Sequence, residues 1–80
     1  MPRIWYEQGF HFSFFAADGG EPAHVHVRKG NGAGKWWIGD ASEAKSRGFT
    51  RAERSRIARI VREQRERFQE AWDREFGSGG

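Results

Sequence analysis

The sequence predicts an α+β domain in which a four-stranded antiparallel β-meander packs against one long C-terminal α-helix. Two observations support this prediction. First, phenylalanine occupies every second position over residues 10–14, and such alternation is typical of a strand with one buried face. Second, Thr50 and Glu53 have the spacing of a capping box, and a helical stripe of apolar residues follows them. We expect one domain over residues 1–77 and a flexible tail at 78–80.

The strands are predicted from short apolar or alternating segments that turn residues separate. Their boundaries fall at about residues 3–7, 10–15, 24–29 and 34–38. Between the third and fourth strands, the dipeptide Asn31-Gly32 favours the positive φ angles of a tight hairpin turn. Residues 39–48 carry no strand pattern, and we expect them to be irregular, with a helical turn near Ser42. Because strands joined by short turns usually pair with each other, the predicted sheet is a meander.

The helix is predicted over about residues 51–76, followed by Gly77 as a left-handed C-terminal cap. The stripe that should face the sheet consists of Ile57, Ile60, Val61, Gln64, Phe68, Ala71 and Trp72. Arginines dominate the first two thirds of the helix and acids gather near its end, an order that opposes the helix macrodipole. Because stability does not favour that order, we interpret Arg51, Arg59 and Arg62 as a surface for an anionic partner. The alternative is a solvated helix crossed by i,i+4 ion pairs.

Composition excludes several classes of protein. The chain has no cysteine, which excludes disulfides and thiolate zinc sites and fits a reducing cytoplasm. No apolar run approaches the roughly 20 residues that span a bilayer, and the N-terminus has no signal-peptide pattern. We therefore expect a cytoplasmic protein with no membrane partner. The net charge of +3 permits nucleic-acid binding without requiring it.

Two histidines one residue apart form the candidate chemical site. Residues two apart on a strand face the same side, so His24, His26 and Arg28 share a face, which His11 of the neighbouring strand can join. In one interpretation, the two imidazoles act as acid and base and Arg28 binds phosphate, which makes a metal-independent ribonuclease. In a second, His24 and His26 bind zinc with His11 or Glu21. In the third, these histidines are ordinary solvent-facing residues of a sheet.

Adjacent tryptophans supply a candidate interface. Trp36 and Trp37 point to opposite faces of the fourth strand, so one indole can enter the core while the other is exposed. An exposed tryptophan is a favoured anchor at protein interfaces. The candidate binding residues are therefore Glu21, Arg51, Arg59, Arg62, Trp36 and Trp37.

Several segments together resemble a known family. They are Glu21-Pro22-Ala23-His24-Val25-His26-Val27, Lys35-Trp36-Trp37-Ile38, the helix entry Gly48-Phe49, and Glu70-Ala71-Trp72-Asp73-Arg74-Glu75-Phe76-Gly77. They are similar to the bacterial family called domain of unknown function 4160, and the resemblance covers nearly the whole chain. The family hallmark is similar to Glu-Pro-Pro-His-Val-His-Val, and here Ala23 stands in place of its second proline.

The resemblance implies a function only through gene arrangement. Genes of this family often neighbour those of domain of unknown function 2442, and the pair looks like a toxin–antitoxin module. A small bacterial protein of that second family is therefore the implied partner. We predict a cofactor-free binding module that uses its basic helix and exposed aromatics to bind a partner protein, RNA or DNA. A metal-independent ribonuclease toxin and a His-x-His metal-binding protein are the alternatives.

Overall fold

The structure is a computed structural model that describes residues 3–77; residues 1–2 and the predicted tail at 78–80 lie outside it. It is an α+β fold in which one antiparallel sheet precedes two helices. The strands are β1 (Arg3–Glu7), β2 (Phe10–Ser13), β3 (His24–Lys29), β4 (Gly32–Trp37) and β5 (Glu43–Arg47). A 3₁₀ helix (Ala16–Gly20) joins β2 to β3, and the C-terminal helices are α1 (Arg51–Glu63) and α2 (Arg65–Phe76). Neither α1 nor α2 is long and apolar enough to cross a membrane.

The sheet is an antiparallel meander, as predicted, but the prediction of four strands was wrong because the sheet has five. The additional strand, β5, pairs with β4 and lies in the segment that we expected to be irregular. Ser42 is not part of a helical turn; its carbonyl accepts a hydrogen bond from the Trp37 N–H (2.9 Å), which extends the β4–β5 pairing. Since β5 contains no β-branched or aromatic residue, its strand depends on pairing with β4 rather than on propensity.

The predicted single helix is two helices that meet at Gln64. Gln64 has φ −101° and ψ 19°, outside the helical region. Backbone hydrogen bonds nevertheless continue across it, from Gln64 N–H to the Ile60 carbonyl (2.8 Å) and from Phe68 N–H to the Gln64 carbonyl (2.9 Å). The apolar stripe therefore keeps its helical period through the break, which is why the sequence predicted one element.

The core lies between the phenylalanine face of the sheet and the apolar stripe of the helices. Phe10, Phe12 and Phe14 are buried, which confirms the predicted inward face. Aromatic rings join the two layers: the ring centroids of Phe12 and Phe68 are 5.3 Å apart, and Phe14 meets Trp72 edge-on at 5.3 Å. Because α1 and α2 pack on this face, the opposite face of the sheet is left to the 3₁₀ helix and to solvent.

Thr50→Ala is expected to lower the free energy of unfolding by about 1 kcal/mol, because it removes the acceptor that caps α1. The predicted capping box is present: Thr50 Oγ1 accepts from the Glu53 N–H (3.0 Å), and the Glu53 carboxylate accepts from the Thr50 N–H (2.9 Å). Urea denaturation measures the loss. Ser55→Ala is the matched control, since Ser55 is exposed inside the same helix; an equal loss there would contradict the capping role.

Candidate functional site

The face of the sheet that α1 and α2 do not cover carries the candidate site. Strand register aligns two rows of side chains across it. One row is His11, Arg28, Ala33 and Arg47, and the other is Ser13, His26, Lys35 and Lys45. Because side chains opposite each other on neighbouring strands share a face, both rows form one surface, which we call the cationic face.

An open groove of about 700 Å³ crosses the cationic face. Its charged lining residues are Arg28, Lys35, Lys45 and Arg47, and none of the lining side chains that the structure describes is a carboxylate. Within residues 3–77, no carboxylate lies within 4.0 Å of the cationic groups of Arg28, Lys45 or Arg47. The groove therefore presents several positive charges that no described acid neutralises.

Two exposed aromatic rings lie against the histidines of this face. Phe15, 49% exposed, stacks on His26 with ring centroids 3.7 Å apart and planes 14° from parallel. Tyr6, 53% exposed, lies beside His11 at 4.6 Å between ring centroids, with the guanidinium of Arg3 5.3 Å from its ring centre. Neither ring was predicted from the sequence to be an exposed aromatic.

The two tryptophans and Glu21 are less available than the sequence suggested. Trp36 is the indole that enters the core, so its candidacy as an exposed binding residue is contradicted. Trp37 is half-buried on the outer face, 5.6 Å from the His24 ring centroid and 4.8 Å from the Lys35 ammonium. Glu21 accepts a hydrogen bond from Lys35 Nζ, and this bond lowers the pKa of Glu21 below its usual value. The ammonium group of Lys35 therefore already contacts both the Glu21 carboxylate and the Trp37 ring.

His24 and His26 meet a carboxylate at one end of the groove. Asp18 Oδ1 is 3.1 Å from Nε2 of His24 and 3.1 Å from Nε2 of His26. One ligand atom from each of the three side chains lies within 4.8 Å of the others, and we call this group the Asp–His–His cluster. The 3₁₀ helix positions the acid, because the Phe15 N–H donates to Asp18 Oδ2 at 2.7 Å.

Asp18 is held in its ionised form. Burial alone would raise the pKa of this carboxyl, but the hydrogen bonds from the Phe15 N–H and from His26 outweigh burial and lower the pKa below its usual value. A negative charge is thus fixed beside two imidazoles. Carboxylate and imidazole together are ligands that transition-metal ions prefer.

His24 is sealed from solvent, unlike His26. Its side chain is 1% exposed and packs against Trp72, with ring centroids 5.2 Å apart. Its Nδ1 lies 2.8 Å from the Pro22 carbonyl oxygen, which can only accept, so Nδ1 carries the proton of this bond. A general acid or base has to reach its substrate. Of the two imidazoles, only His26 is open to the groove, whereas the ribonuclease interpretation has both imidazoles and Arg28 facing RNA; that interpretation stays a prediction.

His11 and the helix arginines lie apart from the cluster. His11 shares the cationic face, but its Nδ1 is 3.1 Å from an Arg3 guanidinium nitrogen, and it is not among the clustered ligand atoms. Arg51, Arg59 and Arg62 are exposed on α1, which packs on the other face of the sheet. The structure therefore separates two basic surfaces that the sequence could not place relative to each other.

These features define a small α+β protein with a basic outer sheet face and a carboxylate-linked histidine pair. A family model described as a domain of unknown function (DUF4160) matches residues 9–73 of the 80-residue chain. The chain belongs to this family, which confirms the resemblance. Neither a curated protein nor a solved structure shows significant similarity to it.

Proposed function

We propose that the protein binds single-stranded nucleic acid on its cationic face. The groove carries this proposal, because Arg28, Lys45 and Arg47 line it and no lining side chain among the described residues is an acid. Phosphates supply the complementary charge, and their contacts with arginine and lysine dominate nucleic-acid affinity. In this proposal the protein is a binding module, as predicted from the sequence, but the basic surface that binds lies on the sheet and not on the helix.

The exposed rings favour a single strand over a duplex. Unpaired bases stack on aromatic side chains, and each such contact is worth about 1–3 kcal/mol. Phe15 and Tyr6 are half-exposed rings on the same side of the sheet as the cations. A sheet surface that offers rings to bases and cations to phosphates is a recurrent arrangement for single-strand binding.

The helix surface is a weaker candidate for the same ligand. Glu53 and Glu63 interleave with the arginines of α1, and Arg54 already pairs with Glu43 at 3.5 Å. A groove with walls of one charge sign focuses the potential, whereas charges on a convex helix are screened by solvent and by neighbouring acids. The cationic face therefore attracts a polyanion more strongly for the same number of charges.

The decisive experiment compares two variants that lose the same charge from different surfaces. The sheet variant is Arg28→Gln/Lys45→Gln/Arg47→Gln, and the helix variant is Arg51→Gln/Arg59→Gln/Arg62→Gln. Fluorescence anisotropy measures their binding to labelled single-stranded RNA and DNA of one sequence over a series of salt concentrations. For wild type we expect log Kd to rise with log salt with a slope of about 2, since roughly three contacts contribute about 0.7 each on a single strand.

We expect the sheet variant to lose at least about 100-fold in affinity and most of the salt slope, because hydrogen bonds to charged groups are worth about 1.5 kcal/mol or more each. The helix variant should keep the wild-type affinity and slope. Equal losses in both variants, or a loss in the helix variant alone, would contradict the assignment to the sheet. Comparison of the Kd values for RNA and for DNA shows which of the two nucleic acids the protein prefers.

A wild-type protein that binds neither strand at low salt would also contradict the proposal. The protein partner of the domain of unknown function 2442 type, which the resemblance implies, would then be the ligand to test. The proposed setting is a bacterial toxin–antitoxin-like pair in the cytoplasm, a setting supported by that resemblance and by the absence of cysteine.

A further inference from the structure

We propose that Asp18, His24 and His26 together bind one divalent transition-metal ion. Zinc is the ion used to test the site. The ligand atoms are a carboxylate oxygen of Asp18 and Nε2 of each histidine. Without an ion, His26 Nε2–H donates to Asp18, so binding requires the His26 tautomer that carries its proton on Nδ1. Two imidazoles with one carboxylate form a donor set that holds zinc or iron(II) in proteins. This inference does not depend on nucleic-acid binding.

The distances within the Asp–His–His cluster fit a shared ion. Asp18 Oδ1 lies 3.1 Å from both Nε2 atoms, and the three ligand atoms lie within 4.8 Å of one another. Ligands of a tetrahedral zinc ion with bonds of about 2.0–2.1 Å are about 3.3 Å apart. Asp18 Oδ1 is therefore close to ligand spacing from both nitrogens, and the widest separation in the cluster has to close by at most about 1.5 Å for one ion to bind all three groups.

The contacts of His24 favour a metal site over an ordinary histidine–carboxylate ion pair. Its Nδ1 proton is committed to the Pro22 carbonyl, so the neutral ring carries its lone pair on Nε2. That buried atom makes no hydrogen bond to any group in residues 3–77, even though Asp18 Oδ1 is only 3.1 Å away. The two groups are close without being aligned for a hydrogen bond.

The neutral arrangement without an ion is therefore costly. A lone pair that faces a carboxylate oxygen at this distance is repelled, and a buried polar atom without a partner has lost its hydrogen bonds to water without replacing them. A cation between His24 and Asp18 removes both penalties, because it accepts the lone pair and neutralises the carboxylate. His24 Nε2 therefore has the free lone pair that a metal ligand needs.

Groups around the cluster hold the ligands in place. The Pro22 carbonyl fixes the tautomer of His24, and the Phe15 N–H donates to Asp18 Oδ2 at 2.7 Å. The Phe15 ring stacks on His26 and limits its rotation. Such contacts orient ligands and raise metal affinity. The His26 side chain is 16% exposed and lines the groove, which gives an ion an entry route and leaves a coordination position open to water.

Zinc titration of tag-free protein, first treated with a chelator and then dialysed, tests this site. Calorimetry should show one zinc per chain for wild type. Asp18→Asn and His26→Gln should each weaken binding by about 100-fold or more, since loss even of a group that supports a ligand costs about 10–100-fold. His11→Gln is the matched control and should bind as wild type does, because His11 lies on the same face but outside the cluster.

Cobalt(II) provides a second readout that reports coordination directly. The visible d–d absorption of the cobalt-loaded protein should appear in wild type and His11→Gln and be lost in Asp18→Asn and His26→Gln. Circular dichroism of the metal-free variants checks that they are folded; His24 is not substituted, because its ring packs on Trp72. Wild-type protein that binds no zinc, or Asp18→Asn and His26→Gln proteins that bind as tightly as wild type, would overturn the proposal.

Discussion

Trp36→Ala is expected to lower the free energy of unfolding by about 3–5 kcal/mol, the usual loss for a buried tryptophan. Trp36 is 1% exposed, lies opposite Val25 in the sheet and meets Phe49 edge-on at 6.2 Å between ring centroids. A domain of this size has a total stability of about 4–12 kcal/mol. The substitution should therefore remove a large part of it.

Trp37→Ala is the matched control because it removes the same side chain one residue later. Trp37 is half-buried on the outer face, against His24 and Lys35, so its loss should cost at most about 2 kcal/mol. Urea denaturation followed by circular dichroism compares the variants without depending on the indole that each one lacks. Equal losses would contradict the assignment of Trp36 to the core and Trp37 to the outer face.

The features that the sequence predicted correctly depend on local spacing. Alternation over Phe10, Phe12 and Phe14 gave the buried face, and the pair Thr50 and Glu53 gave the start of α1. The break at Gln64 gave no such signal, because no glycine or proline marks it and the apolar period continues across it. Four strands were predicted instead of five because β5 is specified by its neighbour β4, and a non-local partner leaves no local pattern.

Because β5 was not predicted from the sequence, the groove was not predicted either. Lys45 and Arg47 reach the cationic face only through β5, which brings Lys45 opposite Lys35 and Arg47 opposite Ala33. Without β5, the histidine face has Arg28 as its main exposed cation, and the arginines of the helix dominate the charge pattern. From the sequence we therefore predicted a basic surface on the helix, whereas the function that we propose uses the sheet.

The histidine pair was predictable only in part. Alternation correctly predicts that His24 and His26 lie together, and their ring centroids are 5.1 Å apart. The sequence could not show that His24 is sealed, because its cover is Trp72 of α2, far along the chain. It also missed Asp18: the 3₁₀ helix folds this acid back onto β3, whereas Glu21, the acid nearest to the histidines in sequence, binds Lys35.

Gly34→Ala is expected to lower the free energy of unfolding by up to about 3 kcal/mol, which is the cost of overpacking a filled site. A Cβ here would lie 2.5 Å from Cζ3 of the Trp36 ring and 2.9 Å from the Lys45 carbonyl oxygen. The ring is buried and the carbonyl belongs to the backbone of β5, so neither moves without disturbing the core or the edge strand. Urea denaturation measures the loss.

Gly39→Ala is the matched control, since no described atom lies within 4 Å of the Cβ it would add. Its stability should stay near wild type or rise by about 0.4–1 kcal/mol. Gly34→Ala should also weaken nucleic-acid binding by the folded protein, because displacing β5 moves Lys45 and Arg47 away from Arg28. A Gly34→Ala protein that matches Gly39→Ala in stability would contradict the close packing of Trp36 and β5 over this glycine. A Gly34→Ala protein that is less stable but keeps the wild-type salt dependence of nucleic-acid binding would instead show that packing around Gly34 does not affect binding at the cationic face.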